Sequence, residues 1–456
     1  MNSQNSPHQP KKDLIPEVCI VGAGITGLTL AYRLKKEGIP FVLVERSAQT
    51  GGLLSSQKEN GFLFEYGPHT VLGSSAELLN LASEIGLTPL LSNQNANHRF
   101  IRLEPGNLVE VPTSPLKALF TPLIPLREKI HFLKGEFFKR PGLKEPQTET
   151  VASFFEKTVG PKTVENLIQP FISGTWAGDA NELLADAAFK NLSSEYARSR
   201  SLLTTLKEKA KRKKEENRLQ NFTPLKGLVS FEGGLQTLTN QLGELIHDSL
   251  WLNQKISRIE KKDSLFNLYT SNESPLLRAK KVILTTPIHT SLKLLGEPPL
   301  TPPFSFSSLA VVGFGVRNED LGRELCGFGY LARLKKKDPS HFLGCLWPSS
   351  IFSDRAPKGA TLLTVFLGGS DNPDERIQEA WREVAQDLKI KPGTAPIQTF
   401  YRFYQEALPQ YDRLHFAKLR KIKTLEENLP GLQILGNYKD GVSLNDRVKQ
   451  ALQVPL

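Results

Sequence analysis

Apolar residues in this chain gather in short runs separated by polar turns, and the first runs predict an alternating architecture. Glu17 to Val21 reads as a strand, Leu28 to Leu34 carries apolar residues at helical spacing, and Phe41 to Val44 is a continuous apolar run, as buried parallel strands are. Gly38 ends the helix and Pro40 follows it, so the three elements predict a βαβ unit. Further on, residues 255–260 and 264–270 alternate around a polar turn, and Val282 to Leu284 forms a short strand stopped by Pro287. The sheet therefore collects segments distant in sequence. The stretch from 91 to 223 reads differently, with helices predicted over 151–168 and 201–218.

Charge complicates that helical stretch. Residues 116–144 interleave Leu119, Phe120, Leu123, Ile124, Phe132, Leu133, Phe137 and Phe138 with Lys117, Arg127, Lys129, Lys134, Lys139, Arg140 and Lys144. The pattern fits a segment lying in a membrane interface and equally a helical unit packing its apolar side on the rest of the protein. The run 207–216 is rich in lysine, but without aromatic side chains to stack on bases it reads as a solvated helix and not as a nucleic-acid site. Over the 456 residues, 58 basic against 47 acidic side chains leave a net charge of +11, which favours an anionic partner without choosing one. The length predicts two or three packed units. Three cysteines, Cys19, Cys326 and Cys345, are too few for a disulfide framework and point to a reducing compartment. His341 and Cys345 form the closest metal-like pair, alignable on a helix turn, but two further ligands are missing and no metal site is expected. No run of 18 apolar residues predicts a membrane-spanning helix.

The sharpest chemical signal is Gly22-Ala23-Gly24-Ile25-Thr26-Gly27, placed between the first strand and its helix, with Glu45 eighteen residues beyond Gly27 at the end of the second strand. In that context Gly22 allows a tight turn, Gly24 lets backbone approach a pyrophosphate, Gly27 lets helix and strand pack, and Glu45 accepts ribose hydroxyls. The motif serves NAD and FAD alike. Arg46 and the pair Gly51-Gly52 continue it, and the Gly67-Pro68-His69-Thr70 turn offers another close approach of backbone to a cofactor.

The segment from Arg46 through Gly51-Gly52 resembles that of flavoprotein amine-oxidase-type enzymes, where it follows the FAD pyrophosphate. Pro170-Phe171-Ile172-Ser173-Gly174-Thr175-Trp176-Ala177-Gly178-Asp179 resembles the P-x-x-x-G-x-x-A-G-D segment of the protoporphyrinogen oxidase family. Residues 182–189, Ser230 to Leu238, and the C-terminal glycine turns from Gly431 to Asp446 resemble that family too, so the likeness runs from residue 17 to about 450. The resemblance implies an α/β fold with a discontinuous Rossmann-like FAD-binding domain (15–90, 224–290 and 425–456), a mixed-sheet substrate domain (291–424) and a mainly helical membrane-associated subdomain (91–223). It implies FAD contacts at Gly22, Gly24, Gly27, Glu45, Arg46, Gly51, Gly52 and Ile256, with Val442 near the isoalloxazine. It gives Arg99 to a substrate propionate, Phe328, Leu331, Leu346 and Phe366 to the porphyrinogen rings, and Gly174 to the place facing the reacting carbon.

The reaction so implied is oxidation of protoporphyrinogen IX to protoporphyrin IX in heme biosynthesis, with oxygen as acceptor and hydrogen peroxide as product. Coproporphyrinogen III oxidation and amine oxidation remain open within the same superfamily, and a flavin-binding membrane scaffold without turnover is the reading of another class. Partners implied are a porphyrinogen, oxygen, a membrane surface and the next heme-pathway enzyme, with no nucleic acid, in a cytoplasmic protein held peripherally at the membrane. No acid–base triad is needed, since the cofactor carries the redox chemistry and the protein orients and buries the substrate. Three places depart from the family pattern. Lys439 stands where an aromatic is usual, the chain ends at Leu456 soon after the last motif, and Arg333, Lys335, Lys336 and Lys337 make one loop unusually basic.

Overall fold

The computed structural model describes residues 15–138, 148–334, 341–369 and 371–456. Lys139, Arg140, Lys144 and Lys335 to Lys337 lie outside the described residues.

The predicted βαβ unit forms as β1 (Val18–Val21), α1 (Ile25–Lys36) and β2 (Phe41–Val44), every strand residue buried. β1 lies between β2 and Lys281–Leu284, both parallel to it; Leu250–Trp251 extends the sheet beyond β2, and Leu432–Ile434 extends it on the other side. A parallel sheet needs cover on both faces. One face packs Leu28, Leu30, Leu78, Leu238 and Val448 from α1 and three further helices, and the other packs Ile259, Phe266 and Leu268 from an antiparallel sheet. That second sheet contains the hairpin Arg258–Lys262 and Leu265–Tyr269, close to the predicted alternation.

Seven strands make the largest sheet, in the order Gln398–Gln410, Ser305–Arg317, Ala360–Gly368, Phe342–Leu346, Gly329–Ala332, Arg99–Glu104, Asn107–Glu110. Helix Pro373–Asp387 covers one of its faces, setting Ala380 and Val384 against Val312, Phe314, Leu363 and Val365. The boundary expected at residue 91 needs adjusting here. Residues 99–110 form two strands: Arg99–Glu104 pairs parallel with Gly329–Ala332, so a hairpin from the first third of the chain completes the seven-stranded sheet. Helix His415–Asn428 likewise packs Ile422 into the core of the parallel sheet, on the other side of the expected boundary at 425. Both shifts come from long-range pairing, which local periodicity does not report.

The remaining helices share a core of Phe154, Ile172, Trp176, Leu183, Tyr196 and Leu202. The helix predicted over 151–168 is interrupted: Val151–Val159 stops at Gly160, whose φ of 101° leaves the helical region and whose missing Cβ would stand 2.5 Å from the Glu128 side chain. Pro161 restarts the chain, which passes through a π-helical turn, Val164–Ile168, into helix Gln169–Trp176. Helix Leu202–Leu219 forms as expected, capped by Ser201. Among the described residues no helix is long and apolar enough to cross a membrane.

Candidate active site

The turn between β1 and α1 is built around backbone approach. A Cβ on Gly27 would stand 2.0 Å from the Gly22 carbonyl oxygen, so helix and strand meet at glycine contact. Gly22 holds φ 109°, and Thr285 fastens the turn by donating to the Gly22 carbonyl at 2.8 Å. Gly24 differs from both. A Cβ there would meet no protein atom within 4 Å, so protein packing does not explain the glycine and the space beside it is open. Glu45 turns its carboxylate back to this loop, accepting from the Ala23 N–H at 2.8 Å and from the Ser47 N–H and hydroxyl at 2.9 and 2.8 Å. Gly51 bridges to Gly24, Gly52 lies alongside, and Arg46 is exposed. Open space at a helix N-terminus, with a carboxylate at the end of the next strand, fits the pyrophosphate and ribose of a dinucleotide.

Residues expected around the flavin ring come from three directions. Gly67 presses on Leu53, where a Cβ would be 2.0 Å from the carbonyl oxygen. His69 sets its ring edge-on to Phe366 at 5.4 Å, so a residue predicted for the cofactor touches one predicted for the substrate. Both His69 ring nitrogens are buried without a partner among the described residues, and burial pushes its pKa down to about 3, leaving a neutral imidazole. Pro68 and Thr70 flank it half-buried, and Thr70 lines a small pocket with Glu65, His69 and Arg355. Ile256 is buried beneath the parallel sheet, in the core shared with Val42 and Val282. Val442 packs instead against the helical core of Ile172 and Trp176. Lys439, the departure in this turn, pairs with Glu426 at 2.8 Å.

On the seven-stranded sheet, pairing brings the substrate candidates into register. Arg99 stands opposite Gly329, Leu346 and then Thr364 across successive strands; two residues along, Ile101 stands opposite Leu331, Gly344 and Phe366. Residues paired or two apart share a face, so Arg99, Leu331, Leu346 and Phe366 line one face, the one that helix Pro373–Asp387 leaves free. With strands about 4.8 Å apart, Leu331 and Phe366 stand roughly 10 Å from one another. Phe328 sits outside the row. It precedes the strand and packs near Ile351 and Phe352, while the Arg99 guanidinium lies over its ring at 5.3 Å.

Helix Gln169–Trp176 closes this face, packing on strands Gly329–Ala332 and Phe342–Leu346. Gly174 faces Leu331 so closely that a Cβ would fall 2.2 Å from its Cδ2. Of the basic loop, Arg333 is described: it donates to Asn166 at 3.1 Å and lies 3.7 Å from Glu165, tying the loop to the π-turn. Among the described residues no group of three His, Cys, Asp or Glu is arranged to hold a metal. The His341–Cys345 stretch leads into strand Phe342–Leu346 instead of a helix turn, with His341 exposed and Cys345 buried.

Sequence reading missed the residues that brace these parts. Tyr411 is 1% exposed; its hydroxyl donates to the Asn437 carbonyl and accepts from the Gly441 N–H at 3.0 Å, while its ring meets Trp176 edge-on at 4.8 Å. It thereby ties the helix bearing Gly174 to the C-terminal turn bearing Val442. Glu65, nearly fully buried, accepts from the Ser56 hydroxyl at 2.6 Å and the Leu235 N–H at 2.7 Å, with Arg355 at 4.0 Å. Burial pushes its pKa up to about 7 against the pull of those partners. A lone Tyr or Glu carries no local motif, and nothing in the sequence marked either.

Residues 25–440 match the family described as flavin containing amine oxidoreductase. The chain is 27% identical to protoporphyrinogen oxidase 2 of Arabidopsis thaliana over 94% of its length and 91% of the relative's. It is also 27% identical to the coproporphyrinogen III oxidase of Bacillus subtilis, over 95% and 96%. The fold is shared with the crystal structure of a provisionally named protoporphyrinogen oxidase from Exiguobacterium sp. 255-15, with a TM-score of 0.77 and 24% identity over 95% of this chain and 96% of that one. With its glycine turn open for a dinucleotide and its sequence matched over nine-tenths of its length, the chain belongs to the flavin-containing amine oxidoreductases and is an FAD-dependent enzyme.

Proposed function

We propose that this enzyme oxidises a porphyrinogen to a porphyrin, protoporphyrinogen IX in preference to coproporphyrinogen III, with oxygen as electron acceptor. The observation that carries the reading is the substrate face: apolar Leu331, Leu346 and Phe366 in two adjacent rows, Arg99 at their edge in the row of Leu346, and Gly174 opposite. A flat apolar ring system bearing a carboxylate suits that surface, since a guanidinium meets a carboxylate bidentately. A small amine would leave most of it unfilled.

In this reading Gly22, Gly24, Gly27, Gly51, Gly52, Glu45 and Arg46 hold the FAD pyrophosphate and ribose, with Gly67 to Thr70, Ile256 and Val442 around the rest of the cofactor. When bound, FAD takes up the electrons of each oxidation and passes them to oxygen. Everything else is positioning. Arg99 fixes one edge of the substrate, the apolar row fixes its plane, and Gly174 lets it approach without an intervening side chain. The three-way division into cofactor, substrate and helical units belongs to the same proposal, with residues 99–110 assigned to the substrate unit.

Peripheral attachment to a membrane completes it. On helix Leu126–Phe137, Leu126, Ile130, Leu133 and Phe137 recur at i, i+4, i+7 and i+11, all exposed, and Phe120 and Phe138 are more than four-fifths exposed. Leu123, by contrast, is buried, and Phe132 packs on the helical core. The segment thus divides between packing and a free apolar stripe, which suits the interface of a bilayer. A product as apolar as protoporphyrin would be passed from there to the next enzyme of heme synthesis.

Anaerobic mixing of the purified yellow protein with protoporphyrinogen tests the central claim. Loss of the flavin absorbance and recovery on admitting air is the expected outcome. Bleaching by amines and not by porphyrinogens would overturn it.

A further inference from the structure

We propose that helix Leu202–Leu219 is a second membrane contact, binding anionic phospholipid headgroups through Lys207, Lys211 and Lys214. The inference rests on the peripheral-membrane reading above and adds what that reading leaves open, the charge of the lipid and the element that senses it.

The helix is two-sided. Leu202, Thr205 and Asn217 face inward, and beside them Lys209 and Arg212 both pair with Glu195 of the neighbouring helix, at 3.2 and 2.7 Å. The opposite side carries Leu203, Lys207, Lys211 and Lys214, all exposed and spaced by four, four and three residues, which keeps them in one row. Among the described residues none of these three lysines forms an ion pair. Of the acidic residues of the same helix, Glu215 holds Arg218 at 2.6 Å, Glu216 stands 4.0 Å from Lys213, and Glu208, exposed one turn before Lys211, leaves the row with a net positive charge.

The helix also starts where the apolar stripe ends. Glu136, next to the exposed Phe137, accepts from the Ser201 hydroxyl at 2.5 Å and from the Leu202 N–H at 2.8 Å. Leu203 and Leu206, just beyond, are 46% and 48% exposed. The apolar surface therefore continues onto the first turn of the helix before giving way to lysine. At about 1.5 Å per residue, Lys207 to Lys214 spans roughly 10 Å, and a helix lying with this side against a charged surface holds all three within about one Debye length of it. The helix has no aromatic side chain for base stacking, and its continuity with exposed Phe and Leu favours a bilayer over nucleic acid.

Cosedimentation of the FAD-loaded full-length protein, using phosphatidylcholine vesicles with and without phosphatidylserine, tests this. Replacing Lys207, Lys211 and Lys214 together by Gln should weaken binding to the phosphatidylserine vesicles by roughly 100-fold, about 5-fold for each lysine, and leave binding to phosphatidylcholine unchanged. Replacing Lys36, Lys262 and Lys280 by Gln removes the same charge from the cofactor unit and should leave both unchanged. Equal weakening by the two triples would reduce the effect to net charge and overturn the assignment, as would full binding by the first triple. Wild-type protein that binds neither vesicle would sink the peripheral-membrane reading itself. Phe120→Ser with Phe137→Ser should weaken binding to both vesicle types, which separates the apolar contact from the charged one.

Discussion

At the residue scale the site depends on small distances, and two substitutions read them. Arg99 lies over Phe328 with its guanidinium free to fork onto a carboxylate. Arg99→Ala should lower kcat/KM for the porphyrinogen by about 1.5–3 kcal/mol, the scale of hydrogen bonds to a charged group, with flavin content unchanged. Lysine at that position, a point charge without the fork, should restore only part of the loss. At Gly174 the clash predicted for a Cβ is with the end of the Leu331 side chain, which can rotate away. Gly174→Ala should therefore fold, helped by the better helix propensity of alanine, yet lose turnover because two methyl-bearing groups now compete for the substrate's place. Adding Leu331→Ala should recover part of the activity, and a double variant no better than Gly174→Ala would show that Leu331 is not the neighbour that matters. Glu65 supplies a pH signature. Its carboxyl, raised from 4.5 to about 7 by burial, binds its proton more tightly in the folded protein than in the unfolded chain. The resulting stability is complete below about pH 4.5 and is lost as pH rises through about 7. Glu65→Gln, neutral throughout, should flatten the fall in Tm across that window relative to wild type.

At the scale of elements, the β1–α1 turn separates two kinds of glycine. Gly27→Ala drives a methyl into backbone at 2.0 Å, where nothing can rotate aside, whereas Gly24→Val enters space that no protein atom fills. The first variant should lose stability and flavin together, while the second should keep its thermal transition in the apoprotein and yet purify colourless. Equal destabilisation of the two apoproteins would mean that Gly24 is structural. This turn is also the part of the molecule that was most legible in the sequence, because strand, glycines, helix and Glu45 lie within 28 residues and each constrains the next locally. The proposed substrate face was legible only through family resemblance: Arg99 and Leu346 are separated by 246 intervening residues, and what joins them is strand pairing. Tyr411 was not legible at all. Its importance lies in two backbone partners near residue 440 and a tryptophan at 176, and no spacing rule predicts such contacts. The break at Gly160 is a different case: Gly160-Pro161 is a local stop signal that a single helix over 151–168 passes over, and the Glu128 side chain beside the missing Cβ adds a constraint from elsewhere in the chain.

For the whole molecule the open question is which porphyrinogen fits, and the answer turns on how many carboxylates the assembled face can neutralise. Protoporphyrinogen brings two propionates and coproporphyrinogen four. Arg99, Arg317 and Arg402 are the strand arginines on the free face among the described residues; Arg317 is exposed at the end of its strand, four residues beyond the Arg99 row, and Arg99 and Arg402 stand five strands apart, roughly 24 Å. Arg402 is stacked on Tyr66 at 4.2 Å, and Arg333 is committed to Asn166 beside Glu165. Arg99, exposed at the start of its strand, is therefore the arginine placed to pair with a propionate at the edge of the face, and a second propionate can stay in water at the rim. Two more would have to be desolvated against Leu331, Leu346 and Phe366 without cations, a cost that burying an unpaired carboxylate makes large. The exposed Phe and Leu stripe on the helical unit points the same way, since protoporphyrinogen is the less polar of the two and gains more from delivery at a bilayer. The expected result is a higher kcat/KM for protoporphyrinogen than for coproporphyrinogen, carried mainly by KM because the reacting carbons are alike. A preference for the tetra-acid would mean that cations not counted on this face reach the pocket, and the charge argument would then fail at its first step.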